Sequence, residues 1–284
     1  MVRLIRKCAN LAENVHIRKE VFWLVDGHIT CPIENSLRSN SVIGLESPTT
    51  KTNKGVDMKI AILGTGMVGQ ALAAKLAETG NEVVIGTRNV AETLAKTTAG
   101  PFGQPPFKVW KEQHPAIPVV TFAEAAARSE IILNATSGGA SLAALQAAGE
   151  ASLNGKVIVD IANPLDFSKG MPPSLTVCNT DSLAEQIQRA FPKAKVVKAL
   201  NTVNALVMVN PNSVGNGDHH LPICGNDAPA KATVTEFLRA NFGWKHVIDV
   251  GDITAARGTE MMLPIWVRLM GTLKTPMFNF KIVQ

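Results

Sequence analysis

Short apolar runs alternate with alanine-rich segments along most of this chain, beginning at residue 59. Such runs between turn signals are typical of strands buried in a parallel sheet, and the alanine-rich segments are typical of the helices that cover it. The predicted strands are Lys59–Leu63, Glu82–Ile85, Val119–Thr121, Ile131–Asn134, Lys156–Asp160, Val196–Ala199, Leu221–Cys224 and Val247–Val250. We therefore predict an α/β fold with one doubly wound, mostly parallel sheet of about eight strands.

The N-terminal part of the chain does not follow this alternation. It contains a mixed apolar segment at residues 21–25 and ends in a mostly polar stretch of linker-like composition. We predict that residues 1–57 are an extension that is either non-native or disordered, with an appended docking segment as the alternative. The folded domain is expected to begin at Met58.

After the last predicted strand, the chain is expected to be helical from Ile253 to Met270, with a break at Pro264. We predict that residues 58–252 form the main domain and that residues 253–284 form a small C-terminal helical extension. Ligands of open α/β sheets bind at the carboxyl ends of the strands. The extension is therefore expected to wall the substrate site, and packing against the core is the alternative.

A proline-rich insertion separates the second and third predicted strands. Within it, Phe107–Gln113 has the pattern of a short helix, with Trp110 as its large anchoring side chain. Long insertions are often functional or else variable surface. We predict that this one is a surface feature.

The first predicted strand leads into a glycine turn that opens an amphipathic helix, Met67–Thr79. In this context Gly64 permits the tight turn, Gly66 lets the backbone approach a pyrophosphate, and Gly69 lets the helix pack on the strand. The predicted phosphate-binding residues are Gly64, Thr65, Gly66, Met67, Val68 and Gly69. The motif indicates a Rossmann-like dinucleotide site, and a glycine turn with only a structural role is the alternative.

The end of the second predicted strand indicates which dinucleotide binds. A site that prefers NAD places an acidic residue there, against the ribose 2′-hydroxyl, and this chain has no carboxylate at that position. Instead, Arg88 can pair with a 2′-phosphate, and Thr87 and Asn89 can donate further hydrogen bonds. These three residues predict NADP(H) as the cofactor.

Composition excludes several other classes of function. The formal net charge is +5, but Lys and Arg are spread along the chain without the dense tract that binds a nucleic-acid backbone. The chain has no tyrosine, which excludes a tyrosine general acid. It also lacks an apolar run of the roughly 18 residues that span a bilayer, and its four cysteines form no Cys-x-x-Cys pair. We predict a cytoplasmic protein that binds neither nucleic acid nor membrane and holds no metal.

In combination, these motifs resemble the NADP oxidoreductase family that depends on the deazaflavin coenzyme F420, from Met58 to the C-terminus. The matching segments are Gly64–Gly66, Ile85–Arg88, Asp160–Pro164, Val197–Thr202, Cys224–Asp227, Asp249–Gly251 and Ala255–Arg257. The N-terminal architecture is also similar to the cytoplasmic domain of membrane ferric reductases.

The resemblance implies an NADP(H)-dependent oxidoreductase that transfers a hydride between NADPH and a small redox acceptor, a deazaflavin such as F420 or a flavin. In such enzymes the protein aligns two rings and needs no acid or base for the transfer itself, so no catalytic side chain is predicted. By position, the residues expected to flank the ribose and nicotinamide are Asn134, Ala135, Thr136, Ser137, Ala162, Asn163 and Pro164. Asn201 and Thr202 are expected to face the reacting edge, and the enzyme is expected to be a homodimer.

Two other functions remain open at this point. His219 and His220 precede Cys224, but adjacent histidines point to opposite sides of a strand, which favours a solvated strand entry over a metal site. One of them, His220, could instead supply the acid for reduction of a small carbonyl or imine. Alternatively, the chain binds NADPH as a redox-sensing module without turnover, and its tail, Thr275–Gln284, either adds a strand to a partner or packs within the subunit.

Overall fold

The computed structural model describes residues 58–100 and 104–284, so the predicted extension at residues 1–57 lies outside the described part. The predicted strands all form, as β1 (Lys59–Leu63), β2 (Glu82–Thr87), β3 (Val119–Thr121), β4 (Ile131–Asn134), β5 (Val157–Asp160), β8 (Lys195–Lys198), β9 (His220–Gly225) and β10 (His246–Asp249). They make one eight-stranded sheet in the order β10-β9-β8-β5-β4-β1-β2-β3, with a separate small hairpin of β6 (Leu165–Asp166) and β7 (Ser174–Leu175). The predicted fold class is confirmed.

Six of the strands, from β3 across to β8, run parallel, and their carboxyl ends lie at one edge of the sheet. Strand β9 runs antiparallel to β8, with Cys224 paired to Lys198, and β10 follows the direction of β9. Because His220 stands four residues before Cys224, the start of β9 projects beyond this edge by roughly 13 Å, at about 3.3 Å per residue. The projecting ends of β9 and β10 therefore rise on one side of the carboxyl edge.

Helices cover both faces of the sheet. They are α1 (Met67–Glu78), α2 (Val90–Ala95), α3 (Phe107–Gln113), α4 (Phe122–Arg128), α5 (Gly138–Ala148), α6 (Glu150–Leu153), α7 (Leu183–Ala190), α8 (Ala205–Val209), α9 (Ala228–Phe242), α10 (Ala256–Met261) and α11 (Leu263–Leu273). Side chains alternate along β1, so that Ile60 packs with α1 and α9 on one face and Leu63 packs with α4 and α5 on the other. Two hydrophobic clusters, one on each face, hold the sheet in place.

The insertion between β2 and β3 contains the predicted helix, now α3. Its anchor is Phe107, which is 4% exposed and belongs to the larger hydrophobic cluster. Trp110 is only partly buried and stacks between Phe107 and His114. Phe107 therefore anchors the insertion in the packed domain, and the prediction that Trp110 is its only large anchor was wrong.

The C-terminal segment is helical as predicted, but its break lies at Met262 and not at the expected Pro264. A short 3-10 turn, Ile253–Ala255, leads into α10, and Met262 separates α10 from α11, which has Pro264 in its first turn. The tail folds back on its own chain, where the His220 amide donates to the Phe280 carbonyl at 3.1 Å and Phe278 stacks on Trp266. Among the described residues, no helix is both long and apolar enough to cross a membrane.

Candidate nucleotide and hydride-transfer site

The glycine turn lies at the carboxyl end of β1, between that strand and α1. Gly64 has a φ of +121°, and a Cβ there would lie 2.5 Å from the Ala135 carbonyl oxygen. A Cβ on Gly69 would lie 2.2 Å from the Gly64 oxygen, whereas one on Gly66 would meet nothing within 4 Å. The turn is thus packed on its protein side at Gly64 and Gly69, and it is open to solvent at Gly66.

The N-terminus of α1 is free to bind an anion. Gly66 is its N-cap residue, no side chain caps the first turn, and no acidic residue lies in it. The Gln70 side chain donates to the Thr65 carbonyl at 2.8 Å, which fixes the loop, while Met67 and Val68 are half-buried beside it. Exposed amide groups at the start of a 12-residue helix fit the pyrophosphate predicted here.

At the tip of β2, the three residues predicted to bind the 2′-phosphate have different surroundings. Arg88 is exposed and forms no ion pair within the described ranges. Thr87 is buried, with its hydroxyl 2.7 Å from that of Thr93, and Asn89 caps α2 by accepting from the Glu92 amide at 3.2 Å. Arg88 is therefore the group available for a charged ligand, and the Asn89 side-chain amide can still donate.

The loop after β4 is held by Asn134, whose side chain is fully buried. Its amide donates to Asp160 Oδ1 at 2.8 Å, and its oxygen accepts from the Thr136 hydroxyl at 2.7 Å. Thr136 in turn lies 2.9 Å from the Ser141 hydroxyl. Asn134 and Thr136 thus set the shape of the loop, and Ser137 is the exposed residue of this predicted group.

The loops after β4 and β5 are in close contact. A Cβ on Gly138, the first residue of α5, would lie 2.1 Å from the Asn163 carbonyl oxygen. The Asn163 side chain extends toward β8, where its amide donates to the Asn201 carbonyl at 2.8 Å. Asn201 returns a hydrogen bond to Asn163 Oδ1 at 3.0 Å and donates to the Thr259 carbonyl at 3.1 Å. The structure thus brings Asn163 and Asn201 together as the sequence predicts, and it adds Thr259 of α10.

Two buried oxygen atoms at this point have no hydrogen-bond partner in the described structure, Asn201 Oδ1 and Thr202 Oγ1. Buried polar atoms are rarely left unpaired in folded proteins, and those that are often mark a ligand site. An amide oxygen accepts hydrogen bonds, and a hydroxyl both donates and accepts. These atoms, the open Gly66 turn and the uncapped α1 N-terminus all fit a bound dinucleotide whose nicotinamide end lies near Asn201.

A buried ion cluster lies directly beneath these loops, and sequence reasoning missed it. Lys198 Nζ lies 2.8 Å from Asp160 Oδ2 and 2.9 Å from Glu260 Oε1, and all three side chains are buried. Burial alone would lower the pKa of Lys198, but the two carboxylates outweigh it and raise that pKa above its ordinary value. The sequence offered a signal for two members of the cluster, because Asp160 and Lys198 each stand at the end of an apolar strand. Glu260 lies far along the chain and gave no such signal.

His219 and Cys224 have structural surroundings. His219 is buried, with Nε2 2.9 Å from the Pro211 carbonyl and Nδ1 2.7 Å from the Asn279 amide. The described residues contain no group of three or more His, Cys, Asp or Glu side chains that could hold a metal. Burial raises the pKa of the Cys224 thiol to about 12, so Cys224 stays protonated at neutral pH.

Three comparisons with known proteins bear on this site. The family described as "NADP oxidoreductase coenzyme F420-dependent" matches residues 59–164. The chain is 56% identical to a crystal structure of a proposed F420-dependent NADP reductase from Arthrobacter sp. FB24, covering 80% of this chain and 100% of that one with a TM-score of 0.76. It is 28% identical over 216 residues to the F420-dependent NADP reductase of Methanothermobacter marburgensis, covering 75% of this chain and 92% of that protein.

A further relative is the metalloreductase STEAP3 of Rattus norvegicus, which is 31% identical over 213 residues. That match covers 73% of this chain but only 38% of the rat protein, so the chain spans well under half of that relative's length. The Arthrobacter structure, by contrast, is matched over its full length at 56% identity. The chain therefore belongs to the coenzyme F420-dependent NADP oxidoreductase family.

Proposed function

We propose that this NADP-dependent oxidoreductase transfers a hydride between NADPH and a deazaflavin or flavin-type acceptor, with coenzyme F420 as the first candidate. The observation that carries the proposal is that the side chains at the predicted reacting position are uncharged. The side chains at the predicted reacting position are Asn163, Asn201 and Thr202, and the charged groups beneath them are buried and paired. Such a site suits transfer between two aligned rings, which requires no acid or base from the protein.

The residues of this chain bind and orient the cofactor. The α1 N-terminus faces the pyrophosphate, and the Arg88 guanidinium pairs with the 2′-phosphate. Asn163 and Asn201 hold each other in a reciprocal amide pair, which leaves Asn201 Oδ1 free to accept from the carboxamide of the nicotinamide. Bound NADPH supplies the hydride from C4 of its nicotinamide ring.

The choice of acceptor rests on the relatives. Two of them are described as F420-dependent NADP reductases, and both are matched over nearly their whole length. The STEAP3 match covers only part of a larger metalloreductase, so it supports an iron acceptor more weakly. A deazaflavin is therefore the acceptor we expect to react fastest.

An acceptor screen at fixed NADPH concentration tests this proposal. Oxidised F420, FMN, FAD, a ferric chelate and a set of small ketones and imines are compared by the loss of NADPH absorbance. The deazaflavin is expected to give the highest kcat/KM. A higher value with any other acceptor would reject F420, and no acceleration by any acceptor would favour a chain that binds NADPH without turnover.

One observation keeps small carbonyl or imine substrates as a second candidate. His220 lines an apolar cavity of about 540 Å³ between β9, β10 and α10, together with Met262 and Phe280. Its Nδ1 accepts from the Ile282 amide at 3.1 Å, so the ring proton lies on Nε2, where it could be donated. If His220 is that acid, His220→Gln should abolish carbonyl reduction. Under our proposal, His220→Gln should leave deazaflavin reduction unchanged from pH 6 to pH 8.

A further inference from the structure

The buried ion cluster of Lys198, Asp160 and Glu260 carries an excess of one negative charge, since one ammonium group faces two carboxylates. Hydrogen-bond donors offset this charge. Glu260 accepts from the backbone amides of Leu183 and Ala184, at 2.9 and 3.2 Å, in the first turn of the eight-residue helix α7. The cluster therefore joins β5, β8, α7 and α10 at a single point.

Stability alone does not account for such a cluster. Removing charges from water is costly, and well-packed apolar side chains often replace a buried ion pair without loss of stability. A buried cluster does impose a specific geometry, because each charge must keep its partners.

The cluster contacts the two segments that are predicted to hold the nicotinamide. Lys198 Nζ donates to the Ala162 carbonyl, in the loop that carries Asn163. Glu260 directly follows Thr259, whose carbonyl accepts from the Asn201 side chain. Between Lys198 and Asn201, Leu200 is fully buried at a φ of +64°, which is unfavourable for a residue with a branched side chain. The surrounding contacts must hold this loop in a conformation that it would not adopt alone.

We propose that the Lys198–Asp160–Glu260 cluster positions the nicotinamide half of the site by fixing the Ala162–Pro164 and Asn201–Thr202 segments to α10. Lys198 and its two partners are positioning residues, since none of them is exposed toward the ligand. The inference rests on the proposed function only for the location of the nicotinamide. It also explains why α10, which follows the sheet in sequence, belongs to the site.

The first test is the variant Glu260→Gln. A glutamine keeps the shape of the side chain and an oxygen for the α7 amides, but it removes one charge and leaves Lys198 paired with Asp160. Dissociation constants are measured for NADPH and for 2′-phospho-ADP-ribose, which has the same phosphates but no nicotinamide. We expect the ratio of the two constants to shift by about 10-fold or more against NADPH, with 2′-phospho-ADP-ribose binding unchanged.

The matched control is Glu185→Gln, at the start of the same helix α7. Glu185 is also buried, but its carboxylate binds Arg257 at 2.6 and 2.9 Å and contacts neither nicotinamide segment. This variant is expected to keep the wild-type ratio of dissociation constants. A similar shift in both variants, or none in Glu260→Gln, would show that the cluster has only a structural role and would overturn the proposal.

Should Glu260→Gln fail to fold, Lys198→Arg provides the second variant. It keeps the positive charge, but no single nitrogen of a planar guanidinium can donate to Asp160, Glu260 and the Ala162 carbonyl at once. The Lys198 ammonium contacts all three. The same loss of nicotinamide affinity is expected, and a wild-type ratio would overturn the proposal. These binding measurements need no acceptor, so failure of the proposed acceptor in the screen leaves them interpretable.

Discussion

At the scale of single residues, we propose that Arg88 determines the choice between NADP(H) and NAD(H). Its guanidinium is solvent-exposed at the tip of β2 and forms no ion pair in the part of the chain that the structure describes. We expect Arg88→Ala to raise the dissociation constant of NADPH by about 10- to 100-fold, the loss typical of a charge-assisted hydrogen bond, and to leave that of NADH nearly unchanged. Titration of both cofactors by fluorescence measures this difference.

The matched control for Arg88 is Lys96→Ala, which removes an exposed positive charge just after α2. If Arg88 contacts the 2′-phosphate, Lys96→Ala should change NADPH binding by less than about threefold, as expected for a distant surface charge. If Arg88→Ala weakened the binding of NADPH and NADH equally, the guanidinium would not bind the 2′-phosphate.

Two glycines of the same turn should respond to alanine in different ways. Gly66 has ordinary backbone angles and open space around its Cβ position, so Gly66→Ala should keep the melting temperature but weaken NADPH binding by about 10-fold or more, because the methyl group faces the pyrophosphate. In Gly69→Ala the Cβ would collide with the Gly64 carbonyl, so both stability and binding should fall.

Thermal unfolding with and without NADPH separates these outcomes. The control is Gly271→Ala in α11, where nothing lies within 4 Å of the Cβ position and helix propensity favours alanine by up to about 1 kcal/mol. It should bind NADPH as the wild type does. A Gly66→Ala variant that retained full affinity would show that the pyrophosphate does not approach this turn.

The glycine turn and Arg88 could be predicted because their roles are local, whereas Asn163 and Asn201 were placed by the family resemblance. A glycine turn, or an arginine at the end of a strand, is recognised from its neighbours in the chain. The ion cluster is different, because Lys198 lies 38 residues after Asp160 and 62 residues before Glu260, as their sequence numbers give. Only the register of β5 with β8 and the packing of α10 bring the three charges together.

At the scale of elements, the strands were predictable because buried parallel strands appear as unbroken apolar runs. The direction of β9 was not, since a run of apolar residues is the same for either direction. The hairpin of β6 and β7 was missed because two-residue strands have no periodicity. The antiparallel placement matters for the site, because it sends the start of β9 beyond the carboxyl edge.

The insertion helix α3 gives a prediction at this scale. Phe107 is 4% exposed in the main hydrophobic cluster, so Phe107→Ala should lower the free energy of unfolding by about 3–5 kcal/mol. Val109, on the same helix, is 38% exposed, and Val109→Ala should cost less than about 0.5 kcal/mol. Urea denaturation measures both values. Similar small losses would mean that the insertion only covers the surface, as its proline-rich sequence first indicated.

At the scale of the whole molecule, the C-terminal segment has several exposed apolar side chains. They are Met261, Ile265, Leu273, Ile282 and Val283, with exposures from 40% to 81%. Exposed apolar surface is often covered by another protein. We propose that the chain forms the expected homodimer, with the helices α10 and α11 and the tail at the contact between subunits.

Sedimentation equilibrium tests this arrangement directly. Since one chain has a mass of 30.3 kDa, a dimer should sediment with twice that mass, and Ile265→Lys should reduce it to the mass of one chain by placing a charge in the apolar contact. Val109→Lys, at an exposed apolar position on helix α3, is the control and should remain dimeric. NADPH binding should survive in the Ile265→Lys monomer, because the glycine turn, Arg88 and the ion cluster all belong to one chain. A wild-type protein with the mass of a single chain would exclude the homodimer.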